Sequence, residues 1–397
     1  MGDWSTVRLL FVLTAAQQLK STTIDFNAAF VQSTLTEPIY LELPPGYSVN
    51  GQDKVDKVFK TLYGDIRAAK LCYKHLSSAL VSSMGFTRSI INSCIYFRDQ
   101  IVFAFYVDDG IIVGHGDDSI TYFIDELRSC EFDLGVEDAY ALYLGVDIIT
   151  QEDGSILSML QTGLIERVLV DFGLTDSTSS KITPSAEILA PQHKSSTPFD
   201  EQFNYRSVLG KVMYLSSNTC CELSLANPHQ CSHFSIDPRT RHGVAPLKGI
   251  GRYLLGTQDK GMIIRPTKDL TLDCYADADF AGLFSLSDPH DPKSVKSRSG
   301  FVIALGSIPV SWASKLQTET ALSTMEAEYI SLCQALRVLL PLCIILDEVS
   351  TSLSLKSDPH SSIKSTIFEE NQASLSLATS DPPKMTPRSK SIAVKYH

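Results

Sequence analysis

Basic residues are scarce. The 397-residue chain sets 34 Lys and Arg against 45 Asp and Glu, a formal net charge of −11. Proteins that hold nucleic acid by neutralising phosphates present a basic face, so this balance argues against a purely electrostatic nucleic-acid binder. The deficit is concentrated early: residues 1–150 hold eleven Lys and Arg and nineteen Asp and Glu, a net of −8. The sequence also lacks any run of eighteen apolar residues, so no membrane span is expected. Met1-Gly2-Asp3-Trp4 has no basic stretch leading into an apolar one, so no secretory leader is expected either. No two of the nine cysteines are spaced Cys-x-x-Cys, and without an export signal they read as reduced intracellular thiols, mostly core filler. What the chain does have is apolar residues, 44% of the total. That is too many for a disordered chain and enough for two or three domains.

The pattern along the chain is mixed. A helix is predicted over 6–20, a strand over 22–26 and a helix over 66–84. Two β-rich runs, 95–106 and 111–114, flank Asp108-Asp109-Gly110, which reads as a hairpin turn. A helix over 119–130 and a strand over 143–149 follow. Residues 176–199 are rich in Ser, Thr and Pro and read as a linker, followed by helices over 205–217 and 243–256. Strands over 270–277, 300–306 and 308–313 lead into a long helix over 323–349. A strand over 363–368 and a short helix over 371–378 close the pattern. The expected class is α/β of the mixed α+β kind.

Tyr106-Val107-Asp108-Asp109-Gly110 admits two readings. Asp-Gly is ordinary turn chemistry. Paired carboxylates also repel, and a divalent cation neutralises them. Two metals held so can activate an attacking oxygen and stabilise a leaving one in phosphoryl transfer. A third carboxylate would complete such a site, and Asp25 ends a strand-like run. Spacing alone leaves both readings open.

Several blocks, in order, carry a resemblance. Ile24-Asp25-Phe26-Asn27-Ala28-Ala29-Phe30, Ile39-Tyr40-Leu41-Glu42 with Pro44-Pro45-Gly46-Tyr47, Leu62-Tyr63-Gly64, Tyr106-Val107-Asp108-Asp109 and Tyr143-Leu144-Gly145-Val146-Asp147-Ile148 form the first set. Tyr205-Arg206-Ser207-Val208 and Arg252-Tyr253-Leu254-Leu255-Gly256-Thr257 follow. Together the chain resembles the reverse transcriptase–ribonuclease H region of copia-type retrotransposon polyproteins. The resemblance implies a polymerase palm-like domain over 1–175, with a remnant of the fingers. It implies a linker and helical connection over 176–268 and a ribonuclease H-like α/β domain over 269–397. Asp25, Asp108 and Asp109 would hold two Mg²⁺ or Mn²⁺ ions around a dNTP and a primer 3′-OH on an RNA or DNA template. Phe30 would be the gate that crowds a ribose 2′-OH, with Tyr106 and Gly64 beside the nucleotide.

In the last third, Asp277, Glu326 and Glu370 would hold a second metal pair for hydrolysis of the RNA strand of a hybrid. On residue type alone, Glu326 is equally a favourable charge in a first helical turn. The sequence departs from the family in places. Asp65 replaces an apolar residue, Thr219-Cys220-Cys221-Glu222 replaces Thr-Arg-Pro-Asp, and Glu370 stands where the family has Asp. Ser391 and Ala393 replace a His and an acid. Twenty-four residues precede Asp25, where the family places its fingers, so most of that subdomain is expected to be missing. The competing expectations are an active polymerase–nuclease, a folded inactive remnant, and a non-enzymatic nucleic-acid-binding module.

Overall fold

The computed structural model describes residues 4–43, 46, 55–137, 142–150, 156–175, 178–184, 204–224, 241–268, 271–282, 284, 294–356 and 362–380. The predicted linker 176–199 lies largely outside these residues, and Ser391 and Ala393 wholly so. The chain divides into two compact units, neither continuous in sequence. One comprises residues 19–144 with 348–360, and the other residues 3–18, 145–347 and 361–397, with Met1–Gly2 assigned to the first. The sequence reading had three consecutive domains. Residues 145–175 instead group with the helical connection and the last third, and so does the N-terminal helix α1 (Trp4–Gln17).

The first unit is built on a six-stranded antiparallel sheet. Its strands are β1 (Lys20–Phe26), β4 (Thr87–Arg88), β5 (Ile95–Arg98), β6 (Ile101–Tyr106), β7 (Asp109–Gly114) and β8 (Leu134–Glu137), in the order β4-β5-β6-β7-β1-β8. Helices α2 (Ala68–Ser78) and α3 (Asp117–Ser129) contribute to its core. Their apolar residues Leu76, Ile120, Phe123, Ile124 and Leu127 recur at helical spacing and pack with Ile24, Phe103 and Ile112 of the sheet. A separate two-stranded ribbon pairs β2 (Thr34–Glu42) with β3 (Val55–Lys60). The run predicted as one strand over 95–106 is two strands. Asp99 and Gln100, both at positive φ, turn the chain between them.

The second unit holds two sheets. Strands β10 (Val146–Thr150), β11 (Ile156–Leu160) and β12 (Met262–Ile263) pair antiparallel in that order. The predicted strand over 143–149 breaks at Leu144-Gly145, both at positive φ, leaving β9 (Leu142–Tyr143) before the break. Helices α4 (Thr162–Phe172), α5 (Tyr205–Asn218) and α6 (Arg241–Leu255) bury Val168, Val212, Leu215, Ile250 and Leu254 in a common core. The other sheet has the order β15-β14-β13-β16, from β13 (Leu272–Asp279), β14 (Arg298–Leu305), β15 (Ile308–Leu316) and β16 (Ser365–Phe368). Strand β16 runs parallel to β13 and the others are antiparallel. Helix α7 (Thr324–Ser352) and the short α8 (Gln372–Ala378) complete the pattern.

Helix α7 bears on the expectation about membranes. By length and composition it is apolar enough to cross one. Gln334 and Arg337 interrupt its apolar letters, which hid it from a count of uninterrupted runs. Half of its most apolar stretch is buried inside the protein, as in a core helix. Ser331 Oγ donates to the carbonyls of Asp277 at 2.7 Å and Gly300 at 3.1 Å, which ties the helix to β13 and β14.

Candidate functional site: two carboxylate clusters

Strand pairing assembles the first cluster. Register places Asp25 of β1 opposite Asp109 of β7, and Tyr106 of β6 opposite the same Asp109. The Phe26 N–H donates to the Asp108 carbonyl at 2.8 Å, which holds the β6–β7 loop against the end of β1. The hairpin therefore turns at Val107-Asp108, not at Asp108-Asp109-Gly110 as the Asp-Gly signal suggested, and Asp109 and Gly110 belong to β7. Gly110 is there because of close approach. A Cβ on it would lie 2.7 Å from the Phe103 ring and 2.8 Å from Ile24. Val107 takes φ 59°, a strained conformation for a β-branched residue, at the tip of this loop.

Asp25, Asp108 and Asp109 are all part-buried. Burial, and after it the charge of Asp108, pushes the Asp25 carboxyl above its ordinary value. Tyr143, fully buried, has its phenol pushed up by burial and then by the charge of Asp109. Phe30 sits in a 3₁₀ turn (Ala29–Gln32), its ring centroid 5.0 Å from that of Tyr63, and Gly64 follows at φ 97°. This brings the Leu62-Tyr63-Gly64 stretch to Phe30. The acid gained at position 65 is matched locally. Asp65 accepts from the Arg67 backbone N–H at 2.8 Å and from its guanidinium at 3.0 and 3.1 Å.

The second cluster is Asp277, Glu328 and Glu370, each offering an oxygen within 4.8 Å of the others'. Asp277 comes from β13, Glu328 from the second turn of α7 and Glu370 from just after β16. Glu326, the acid expected from the sequence, is not among them. Its Oε2 accepts from the Leu322 N–H at 2.8 Å, while its own N–H donates to Ser323 Oγ at 3.2 Å. Ser323-x-x-Glu326 is thus a capping arrangement that satisfies N–H groups at the start of α7. That signature was present in the sequence and would have redirected the choice two residues on.

Glu328 is buried, and its Oε2 has no hydrogen-bond partner among the described residues. Burial, then the charges of Glu369 and Asp277, pushes its carboxyl up to about 7. Glu369 is a second residue that the sequence reading passed over. Its Oε1 accepts from the Asn371 N–H at 2.9 Å, its Oε2 is buried without a partner among the described residues, and burial raises its pKa. Buried carboxylate oxygens without donors, next to further acids, are costly unless protonated or paired with a cation. The donor set is all oxygen, which suits a hard divalent ion.

Sequence comparison agrees with the first cluster's surroundings. Residues 2–187 match the family of reverse transcriptases, described as RNA-dependent DNA polymerases. Over 383 residues, 94% of its length, the chain is 30% identical to the retrovirus-related Pol polyprotein from transposon RE2 of Arabidopsis thaliana and spans 24% of that protein. The Pol polyprotein from transposon TNT 1-94 of Nicotiana tabacum is 28% identical over 405 residues, covering 99% of the chain and 29% of the relative. A putative transposon Ty5-1 protein of Saccharomyces cerevisiae is 29% identical over 321 residues, 78% of the chain and 97% of the relative. The chain therefore covers about a quarter of the long polyproteins, and with the aspartate-bearing hairpin in place it belongs to the reverse transcriptase region of copia-type retrotransposon polyproteins.

Proposed function

We propose that the chain carries two sites for two-metal phosphoryl chemistry. The first adds a deoxynucleotide to a primer 3′-OH on an RNA or DNA template. The second, in a ribonuclease H-like fold, hydrolyses the RNA strand of a hybrid. The observation that carries the first is the register of Asp25 opposite Asp109 with Asp108 at the adjoining loop. The observation that carries the second is the convergence of Asp277, Glu328 and Glu370. Mg²⁺ or Mn²⁺, when bound, would supply the positive charge that activates the attacking oxygen and stabilises the leaving one.

The chain's own residues do the rest. Asp25, Asp108 and Asp109 would hold the ions at the end of the central strands. Phe30 would bound the sugar and discriminate against a 2′-OH, with Tyr106 and Gly64 adjoining the nucleotide. Asp277, Glu328 and Glu370 would hold the second pair, with Glu369 adding charge behind them. Glu370 carries one methylene more than the family's Asp, a displacement of about one bond length. Small misplacements can cost ~100-fold in rate.

A second reading, a folded remnant or a nucleic-acid-binding module without turnover, is favoured by charge. Eleven basic against nineteen acidic residues over 1–150 leave little to neutralise phosphates. Primer extension on an RNA template with the purified chain decides between them. Extension abolished by Asp109→Asn supports the polymerase. Absence of extension in the presence of Mn²⁺-dependent thermal stabilisation, the latter reduced by Asp108→Asn, supports the remnant. No response of melting temperature to millimolar Mn²⁺, in wild type or alongside Asp277→Asn, removes both metal sites.

A further inference from the structure

The turn that carries Phe30 needs support from outside itself. Strand β1 ends at Phe26, and two residues on Ala28 takes φ 48° and ψ 47°, a left-handed conformation that a residue with a Cβ adopts at a cost. Such a conformation persists only where the surroundings over-determine it. The 3₁₀ turn Ala29–Gln32 starts from this residue, so whatever holds Ala28 also aims Phe30.

Asp133, immediately before β8, is met by both ends of the turn. On one side the Asn27 N–H donates to the Asp133 carbonyl at 3.0 Å, and the Asn27 side-chain amide donates to its Oδ1 at 2.9 Å. On the other side Gln32 Nε2 donates to the same carbonyl at 2.8 Å and to the Asn27 carbonyl at 2.6 Å. The Asp133 N–H donates back to Gln32 Oε1 at 3.1 Å. Gln32 thus pairs with Asp133 as a neighbouring strand would, one donor and one acceptor on the same residue. The adjoining Phe132 is buried, its ring centroid 5.7 Å from that of Phe26 and 4.8 Å from that of His75, which fixes the chain that presents Asp133.

Asp25 and Phe30 are therefore held by different means. Asp25 lies in a strand paired on both sides, opposite Asp109 of β7 and Gly135 of β8. Phe30 lies outside the sheet, in a turn whose two ends meet at Gln32, Asn27 and Asp133. Loss of the Gln32 bonds should free the ring and leave the aspartate in place.

We propose that Gln32 and Asp133, acting through Asn27, are positioning residues for Phe30 and set how strongly the chain rejects a ribonucleotide. This rests on the reading of Phe30 as the gate against a 2′-OH. Rejection by clash demands a ring that cannot yield. A misplacement of about 1 Å can change a rate by about 100-fold, so a turn free to shift by that much would admit the hydroxyl.

Primer extension by the full chain with dATP or ATP tests this in the parent, Phe30→Ala, Gln32→Met, Asp133→Ala and Asp133→Asn. Methionine keeps the length of Gln32 and removes its donor and acceptor, and asparagine keeps the Oδ1 acceptor of Asp133. Gln32 is half-buried and Asp133 exposed, so the variants should fold. Gln32→Met should raise kcat/KM for ATP by about tenfold and leave that for dATP within about twofold. Asp133→Ala should move the ratio in the same direction by less, and Asp133→Asn should match the parent. Hydrogen exchange should speed up in Gln32→Met at Val31 and Ser33, whose N–H groups close the turn onto Ala28 and Phe30 at 2.8 and 3.2 Å. A purely structural role would instead lower both nucleotides alike, and that result overturns the proposal, as does unchanged exchange. If Phe30→Ala relaxes the ratio and Gln32→Met does not, the positioning claim alone falls. If Phe30→Ala leaves the ratio unchanged, the gate reading falls and takes this inference with it. Should the parent not extend, the ratio is read from binding of dATP and ATP, with Mn²⁺, to a primer–template ending in a dideoxynucleotide. Absence of nucleotide binding there refutes the polymerase reading and the proposal together.

Discussion

Glu328→Gln offers the sharpest perturbation of the second carboxylate cluster, because its consequence has a sign that can be worked out. In the folded chain Glu328 holds its proton up to about pH 7, against an ordinary value of 4.5. Between those two values the folded state binds more protons than the unfolded one. Stability therefore falls as pH rises through that window, and the contribution is fully present only below about 4.5. At 1.36 kcal/mol per pKa unit the ceiling is about 3 kcal/mol. Asp277 and Glu370 are exposed, so water screens the cluster, and about 1–2 kcal/mol is the expected size. A glutamine cannot ionise. The variant should lose most of the decline between pH 4.5 and 7, keeping the part owed to Glu369, whose carboxyl is also raised. At pH 7.5 it should be more stable than the parent by about 1–2 kcal/mol, worth about 2–4 °C in melting temperature per kcal/mol for a unit of this size. Mn²⁺ should stabilise the parent by mass action, more at pH 7.5 than at 5.5, because the ion needs the ionised carboxylate. The variant should gain less. Urea or thermal denaturation across pH 4.5–7.5, with and without Mn²⁺, reads all of this. Parallel stability curves for parent and variant would refute the reasoning, since Glu328 would then titrate alike in both states.

Glu326→Ala should cost about 0.5–2 kcal/mol at every pH through loss of the helix cap, with the Mn²⁺ response unchanged; denaturation with and without metal checks it, and a lost metal response would return Glu326 to the site. Gly110→Ala should destabilise by about 1–3 kcal/mol through overpacking, because its Cβ meets Phe103 and Ile24, and urea denaturation measures it; a neutral effect would show that β7 can move away from β1 and β6.

Much of the fold was legible because its elements announce themselves locally. The helix over 205–217 appears at Tyr205–Asn218 and the helix over 119–130 at Asp117–Ser129, since their apolar residues recur at helical spacing. The four strands of the last third were placed to within about three residues. The misses have physical causes. The expected strand runs pass through Asp99-Gln100 and Leu144-Gly145, whose positive φ values turn the chain out of the extended conformation, and of the four only Gly145 is a residue type that signals such a break. Helix α4 and strand β11 were not predicted at all. Helix α4 packs on α5 and α6, and β11 pairs with β12 just over a hundred residues on as well as with its neighbour β10, so only part of this pairing is local. The same holds for α1, which was recognised as a helix but could not be assigned to the unit containing β14 and β15 from its own residues.

Acid clusters pose a different problem from helices, because several roles compete for the same residue types. At Asp108-Asp109-Gly110 the turn reading and the site reading looked exclusive, and the structure divides the residues between them. Asp108 lies in the loop, Asp109 in the strand facing Asp25, and Gly110 in the strand to admit Phe103. At Thr324-Met325-Glu326-Ala327-Glu328 the two glutamates divide the work in the same way. The N-terminal N–H groups of a helix need acceptors, and an acid three residues after Ser323 is placed to supply one. An acid so engaged is drawn back toward the cap and is unavailable to β13. Glu328 has no such claim on it, and it lies three residues before Ser331, which bonds to the Asp277 carbonyl. One helical turn separates the two, so the residue that ties the helix to the strand also sets which acid the strand meets. The choice between Glu326 and Glu328 thus follows from settling the backbone's hydrogen bonds first, and asking afterwards which carboxylate is left over.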